Sequence, residues 1–227
     1  MPHQAASVPA KIGRRTPSAT VRTNQVRRRG EIPSERGART RLQIADAAIC
    51  LLTEMNGPPT AHDVAARAGV TPRLLFHHFN DLDALYRFVS AIQFERYRRD
   101  IPEVPSDLPL DQRIERTVQK RSELYQSMGH LGWNAALLST RHQSVAESLV
   151  ETHAMLKSRL ERTFAPELQA AGRGRRELMT AIDAAVSWHV WHYVRDVSGL
   201  PVVAARRVMS RMLRAAFAPE LLPAHVA

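Results

Sequence analysis

Apolar residues recur at helical spacing along most of this chain, and proline and glycine divide the pattern into helix-length pieces. Five stretches contain neither of these residues: 73–101, 110–128, 133–165, 175–198 and 202–218. Each stretch is longer than a normal strand, which has about 3–10 residues. The pattern therefore predicts an all-α fold.

Residues 40–56 are predicted to form the first helix. Ile44, Ala48, Leu51 and Met55 follow one another at helical spacing and would form its inner stripe. Cys50, the single cysteine of the chain, is expected to be a small buried side chain of this helix. One cysteine excludes both an intramolecular disulfide and a cysteine-based zinc cluster.

Two short helices joined by a glycine-containing turn are predicted to follow. Thr60 has the position of an N-cap with the acidic Asp63 three residues later, which opens a helix that runs to Ala68. Thr71 is the next N-cap, and Pro72 occupies the first helical position, where its missing N–H costs nothing. This layout is that of a helix-turn-helix, whose second helix enters the DNA major groove.

The helical period assigns the two sides of the second short helix. Leu75 and Phe79 should face the core, and Arg73 is then placed to contact a guanine edge or a phosphate. Hydroxyl groups and helix N-terminal amides near the two caps would contact phosphates. The candidate DNA-binding residues are Thr60, Thr71, Pro72, Arg73, Leu74, Phe76, His77 and His78. The alternative is a helical hairpin with a basic surface residue.

Positive charge is concentrated at the N-terminus. The chain has a formal net charge of +10, and residues 1–41 hold ten basic side chains but only two acidic ones. Residues 1–38 show no apolar period, so we expect a disordered basic arm. Arg27, Arg28 and Arg29 are its best candidates for following phosphates or entering a minor groove. An unstructured solubilising tail is the alternative.

This charge indicates a polyanionic partner, either nucleic acid or an anionic membrane surface. No run of 18 apolar residues is present, so no segment is expected to span a membrane. Residues 1–10 lack an apolar core of signal-peptide length, so we expect a cytoplasmic protein.

The C-terminal body is predicted to pair two long helices and to hold a pocket. Residues 175–198 are predicted to form one helix with two apolar faces, and residues 202–217 a second helix, which together favour a symmetric dimer. An effector pocket for a largely apolar small molecule would be lined by Met128, Trp133, Leu137, Trp188 and His189. The alternative is that these are plain core residues. His189 and His192 are three residues apart without a carboxylate at ligand spacing, so no metal is expected.

Residues 40–85 resemble the TetR family of bacterial transcriptional regulators. The resemblance rests on Ile44, Ala47, Ala48, Gly57, Thr60, Val64, Ala65, Ala68, Gly69, Val70, Thr71, Leu75, His78, Phe79 and Leu85. It implies a three-helix DNA-binding head, placed at residues 39–85, and a helical ligand-binding and dimerisation body, placed at residues 86–223. The family typically dimerises through its last two helices and commonly represses genes until a small molecule binds.

Three residues depart from the family pattern. Arg73 stands where the family often has a small residue, Phe76 where it usually has a phosphate-binding tyrosine, and Leu82 where it often has a lysine. Two expected phosphate contacts are therefore missing, and Arg73 or the basic arm would have to compensate.

The function predicted from these features is a ligand-responsive repressor that binds a palindromic DNA operator as a homodimer. A nonspecific architectural DNA-binding protein is the alternative, which the basic arm favours. A helical enzyme is less favoured, because the chain has no nucleophile-elbow, phosphate-loop or zinc-protease motif. No cofactor is expected.

Overall fold

The computed structural model describes residues 35–218, which belong to one compact unit. Within this range eleven α-helices and no strand are present, which confirms the predicted all-α fold. The helices are α1 (Glu35–Glu54), α2 (Ala61–Arg67), α3 (Pro72–His78), α4 (Leu82–Asp100), α5 (Leu110–Met128), α6 (Leu131–Ser139), α7 (Gln143–Thr163), α8 (Ala165–Ala170), α9 (Arg175–Ala185), α10 (Trp188–His192) and α11 (Val202–Ala216). A 3₁₀ turn at Gly172–Gly174 precedes α9, and a π-helical turn at Tyr193–Val197 follows α10.

Helix α1 begins five residues earlier than the sequence pattern predicted. Residues 35–38, which were expected to end the disordered arm, form its first turn. Glu35 lies in that turn, where a negative charge complements the helix dipole. Arg27, Arg28 and Arg29 lie outside the described residues.

The first hydrophobic core joins the head, which consists of α1, α2 and α3, to helices from later in the chain. Its buried residues include Ile44, Ala48, Leu52, Val64, Leu75, Phe79, Leu85, Leu131, Leu138 and Val145. Leu131 and Leu138 belong to α6 and Val145 to α7, so the head does not close its core alone. The second core lies among α5, α7, α8, α9, α10 and α11 and includes Ile114, Phe164, Leu168, Ile182, Met209 and Leu213.

Two side chains predicted to lie inside the first helix are exposed. Cys50 is exposed, because a side chain two residues after Ala48 points about 200° around the helix from it. Met55 is exposed because it lies just beyond the last helical residue, Glu54.

The predicted helix over residues 175–198 is broken into three parts. Helix α9 ends at Ala185, and Ser187 begins α10 by accepting a hydrogen bond from the Val190 N–H (3.3 Å). The buried Tyr125 hydroxyl donates to the Val186 carbonyl oxygen (2.8 Å), which satisfies a backbone group at the break. The break places Trp188 against Gly132 of α6. A Cβ atom added to Gly132 would lie less than 3.0 Å from the Trp188 indole.

None of the helices in residues 35–218 has the combination of length and apolarity needed to cross a membrane.

Candidate nucleic-acid interface

The N-terminus of α2 is closed by a reciprocal capping box. Thr60 Oγ1 and the Thr60 N–H both donate to Asp63 Oδ2, at 2.6 and 2.8 Å, and the Asp63 N–H donates back to Thr60 Oγ1 (3.2 Å). The hydrogen bonds from the Thr60 side chain and backbone lower the pKa of Asp63. Because its hydroxyl proton is engaged by a carboxylate, Thr60 cannot donate to a phosphate without breaking this cap.

The turn between α2 and α3 is held by backbone and side-chain hydrogen bonds. Gly69 has φ 65°, the left-handed region that favours glycine, and its N–H donates to the Ala66 carbonyl (3.1 Å). From α1, the Gln43 amide donates to the Ala68 carbonyl (2.7 Å). The angle between α2 and α3 is therefore fixed by α1 as well as by the turn.

Helix α3 presents one face to the core and one to solvent, as the helical period predicted. Leu75 and Phe79 are buried. Thr71 Oγ1 accepts the Leu74 N–H (3.2 Å), so its own hydroxyl proton stays available for another acceptor. The exposed side chains on the outer face are Thr71, Pro72, Arg73, Leu74, Phe76 and His77. The structure therefore brings most of the predicted DNA-binding residues onto one surface.

Arg73 is the cation that this surface offers. In the described part of the chain, no carboxylate or carbonyl engages its guanidinium. By contrast, Arg67 of α2 forms two hydrogen bonds with the carboxylate of Glu54, at 2.8 and 3.0 Å. Arg73 is thus free to bind a phosphate or a base edge, whereas Arg67 is committed within the head.

His78 differs from the other predicted contacts because it is half-buried. Its carbonyl oxygen accepts a hydrogen bond from Arg41 Nη1 (3.2 Å). Burial first, and then the neighbouring His77 and Arg41, lower the pKa of His78, so this imidazole is neutral at pH 7. Its position suits it to hold the end of α3 in place rather than to bind a phosphate.

Two residues that depart from the TetR-family pattern, Phe76 and Leu82, lie at different places in the head and at the start of α4. Phe76 is 44% exposed on the outer face of α3 and offers no hydroxyl. Leu82, at the start of α4, is half-buried and packs against the first core. Neither side chain can donate a hydrogen bond to DNA.

An apolar cavity of about 100 Å³ lies among α4, α6 and α7, next to the end of α5. Its lining includes Leu52, Tyr86, Val89, Phe94, Tyr97, Met128, Leu131, Leu138, Val145 and Leu149. Met128 is the one predicted pocket residue that contributes to this cavity. The α4 residues of this lining were not among the pocket residues predicted from the sequence.

The other four predicted pocket residues lie elsewhere. Trp133 and Leu137 are 43% and 39% exposed. They lie on the outer face of α6, because the opposite face, which carries Leu131 and Leu138, packs into the core. His189 is exposed and Trp188 is half-buried. These four side chains therefore do not line the apolar cavity.

Trp188 and Trp133 instead join a stacked aromatic cluster on the surface. The His192 ring stacks on Trp188 and on Trp133, with centroid distances of 5.0 and 5.8 Å. His192 Nδ1 lies 2.8 Å from Asp196 Oδ2, four residues later. The expectation that no carboxylate stands at ligand spacing from His189 and His192 was therefore wrong. Over residues 35–218, no group of three or more His, Cys, Asp or Glu side chains is arranged to hold a metal ion.

Comparison with solved structures relates this architecture to that of known proteins. A protein described as a TetR-family transcriptional regulator from Rhodococcus sp. is 18% identical, with a TM-score of 0.56 over 79% of this chain and 100% of that chain. GusR from Salmonella enterica is 19% identical, with a TM-score of 0.57 over 79% of this chain and 95% of that chain. The chain has the TetR-family fold. No protein-family model matches it, and no curated protein matches it in sequence.

The head of this TetR-like fold carries little net charge of its own. Residues 35–79 contain five arginines and four carboxylates, whereas residues 1–34 contain seven basic side chains and one acidic one. The head arginines are Arg36, Arg39, Arg41, Arg67 and Arg73. Electrostatic attraction to a polyanion must therefore come largely from the N-terminal segment.

Arg41 is a residue whose structural role the sequence did not reveal. Its guanidinium carbon lies 4.5 Å from the Phe79 ring centroid and 4.9 Å from that of Phe88. Together with its hydrogen bond to His78, these contacts join α1 to the end of α3 and to α4. From the sequence, Arg41 was only one of the ten basic residues within positions 1–41, with no predicted contact.

Proposed function

We propose that this protein is a sequence-specific DNA-binding transcriptional regulator that acts in the cytoplasm. The observation that carries the proposal is the outer face of α3, where the unpaired guanidinium of Arg73 and the free hydroxyl proton of Thr71 stand beside exposed His77. Buried Leu75 and Phe79 fix this face relative to the rest of the head. A helix held in this way fits the major groove.

The contacts divide into two classes by chemistry. Thr71 and the N-terminal Arg27, Arg28 and Arg29 would contact phosphates, which supply affinity but little sequence information. Arg73, Leu74 and His77 would contact base edges, with Arg73 suited to a guanine. Thr60 is left out of this set because its hydroxyl proton is engaged by Asp63.

We propose that the protein acts as a homodimer through its last two helical segments. Tyr193, Val197 and Val203, on the π-helical turn and on α11, are 61%, 65% and 64% exposed, which is unusual for large apolar side chains. A symmetric dimer that covers this surface would present two heads to a palindromic site with half-sites roughly 34–36 Å apart.

The apolar lining of the cavity beside α4 favours a largely apolar small molecule as the effector, and the cavity of about 100 Å³ would have to widen to hold a ligand of the usual size. Because α4 follows the head directly in the chain, a ligand that binds one arrangement of α4 more tightly would favour one spacing of the two heads. We propose that effector binding favours a spacing that no longer fits the operator, so that the protein represses without its ligand.

The first test is a selection of genomic DNA fragments by the purified full-length protein at about 0.15 M salt, where screening is physiological. Enrichment of a palindromic sequence is the expected result. Equal recovery of all fragments would contradict sequence-specific binding.

The second test measures how Arg73 contributes to the selected site. Arg73→Ala should weaken binding to that site by about 1–3 kcal/mol, because a good contact to a base edge is worth that much. Arg176→Ala removes an exposed, unpaired arginine of α9 and is the matched control, expected to bind normally. Equal affinities of the two variants would refute the assignment of Arg73.

A nonspecific architectural DNA-binding protein is the second candidate. The observation that favours it is the concentration of positive charge in residues 1–34 rather than on the head. Such a protein would bind any duplex with a similar affinity and without response to a ligand. The fragment selection therefore separates the two candidates directly.

A further inference from the structure

A second cleft, distinct from the apolar cavity, lies between α1, α4 and α5. Its volume is about 380 Å³, and most of its lining residues are polar or charged. This volume lies within the range of about 300–1,000 Å³ that is usual for small-molecule sites. We refer to it as the polar cleft.

Lys120 of α5 is the notable residue of the polar cleft. It is half-buried, and within residues 35–218 no hydrogen bond or ion pair engages its ammonium group. The other cation of the cleft, Arg96, is paired with Asp46 of α1 (3.0 Å). The Lys120 residue is partly buried and its ammonium group has no partner in the described protein, so an anionic ligand in the cleft could pair with it.

The carboxylates of the polar cleft are already engaged by other residues. Asp100 pairs with its neighbour Arg99 (2.6 Å). Glu123 accepts a hydrogen bond from Gln119 (2.9 Å) and lies 3.9 Å from Arg206. Because Asp100 and Glu123 have other partners, neither carboxylate pairs with Lys120. Their negative charges disfavour a ligand that carries more than one negative charge.

A small pocket adjoins the polar cleft and shares Lys120 with it. Arg121 and Arg159 also line this pocket, and their guanidinium groups donate to backbone carbonyls rather than to carboxylates: Arg121 to Leu156 (2.8 Å), and Arg159 to Ile101 and to Arg98 (2.7 Å for Arg98). Three cations without a carboxylate at hydrogen-bond distance therefore line one small volume, together with Glu103, whose carboxylate pairs with Arg162. Such an arrangement creates a positive local potential.

Thr117 provides an independent sign of a polar ligand at this place. Its side chain lines the small pocket and is almost fully buried, yet its Oγ1 has no hydrogen-bond partner. Buried hydroxyl groups in proteins are nearly always paired. A polar ligand atom in the small pocket, which shares Lys120 with the polar cleft, would give this hydroxyl a partner.

Part of the wall of the polar cleft is apolar, beside the uncharged polar residues Thr53, Gln93 and Ser127. Ile49 of α1, Ile101 after α4 and Leu124 of α5 line it together with the Tyr97 ring. Burial raises the pKa of Tyr97 to about 12, so its hydroxyl carries no negative charge at neutral pH that would oppose an anion. The cleft therefore offers one positive end and a hydrocarbon surface.

We propose that the polar cleft binds a small organic monocarboxylate, whose carboxylate group pairs with Lys120 and whose short hydrocarbon part contacts Ile49, Ile101 and Leu124. The polar cleft adjoins the apolar cavity and shares Gln93 and Tyr97 with it. The inference does not depend on whether the protein binds DNA.

Calorimetric titration of the full-length protein with hexanoate and with its neutral analogue hexanamide tests this proposal. Hexanoate should bind with one site per chain and at least tenfold more tightly than hexanamide. Lys120→Gln should abolish the preference for the anion, and Lys120→Arg should restore it. Lys157→Gln, which removes a half-buried lysine of α7 that also lacks a partner, is the control and should keep the preference.

Circular dichroism of each variant verifies the fold before titration. The proposal is overturned if the wild-type protein binds both compounds equally or binds neither. It is also overturned if folded Lys120→Gln retains the preference for hexanoate, because the anion then lies elsewhere.

Discussion

Thr60 and Thr71 occupy the same N-cap position at the start of successive helices, yet their hydroxyl groups are engaged differently. Thr60 donates its proton to Asp63 and also accepts a backbone N–H. Thr71 only accepts, from Leu74. The sequence itself separates these cases, because the acidic Asp63 stands three residues after Thr60, whereas the apolar Leu74 stands three residues after Thr71.

This difference predicts unequal effects of two matched substitutions. Thr60→Val and Thr71→Val should each lower the free energy of unfolding by about 1 kcal/mol, the usual cost of a lost N-cap. Thr71→Val alone should also weaken operator binding roughly tenfold, because a hydrogen bond to a charged phosphate is worth about 1.5 kcal/mol or more. Urea unfolding and DNA titration measure the two effects. Equal losses of DNA affinity would contradict the assignment.

At the scale of helices, four breaks among the described helices contain neither proline nor glycine: residues 79–81, 140–142, 164 and 186–187. Two of them separate α6 from α7, at residues 140–142, and α9 from α10, at residues 186–187. The break at residues 186–187 depends on Ser187 and on the Tyr125 hydroxyl, which comes from α5 and is distant in sequence. A helical pattern read along the chain cannot indicate such a break, because its partner group comes from another helix.

The position of Trp188 after this break predicts the effect of a small substitution in α6. Gly132→Ala should lower the free energy of unfolding by about 1–3 kcal/mol, since the new Cβ would overlap the Trp188 indole. Gly174→Ala is the control, because its Cβ would meet nothing within 4 Å and its φ is −77°. It should be neutral or slightly stabilising. If Gly132→Ala is as stable as the wild-type protein in urea unfolding, the close packing of α6 on α10 is refuted.

At the scale of the whole molecule, the uneven distribution of charge separates affinity from specificity. The head holds the groups suited to base contacts but has almost no net positive charge, whereas residues 1–34 carry seven basic side chains. We therefore expect the N-terminal segment to control the salt dependence of DNA binding and α3 to control its sequence dependence.

Replacement of Arg27, Arg28 and Arg29 by glutamine tests this division. The slope of log affinity against log salt should fall by up to about 2–3, since each neutralised phosphate contributes about 0.9. The preference for the palindromic site should stay unchanged. The control replaces the three exposed arginines Arg173, Arg175 and Arg176 in the same way and should leave the slope unaltered. Equal slopes in the two triple variants would show that Arg27, Arg28 and Arg29 do not contact DNA.

The all-α fold, the two caps of the helix-turn-helix and the inward direction of Leu75 and Phe79 could be predicted from the sequence. These features depend on local spacing, which repeats every 3.6 residues and can be read along the chain. Two details differ from the sequence prediction. Helix α1 begins five residues earlier than predicted, at Glu35, and Cys50 lies on the exposed face of this helix rather than on its buried face.

Packing between the helices determines which groups meet across them. It placed the apolar cavity beside α4, turned Trp133 and Leu137 outward, and brought α6 and α7 into the core of the head. It also left Lys120 without a partner between α1, α4 and α5. The physical reason is that a helix pattern defines which residues share a face, whereas the neighbour of that face is selected by packing between segments far apart in the chain.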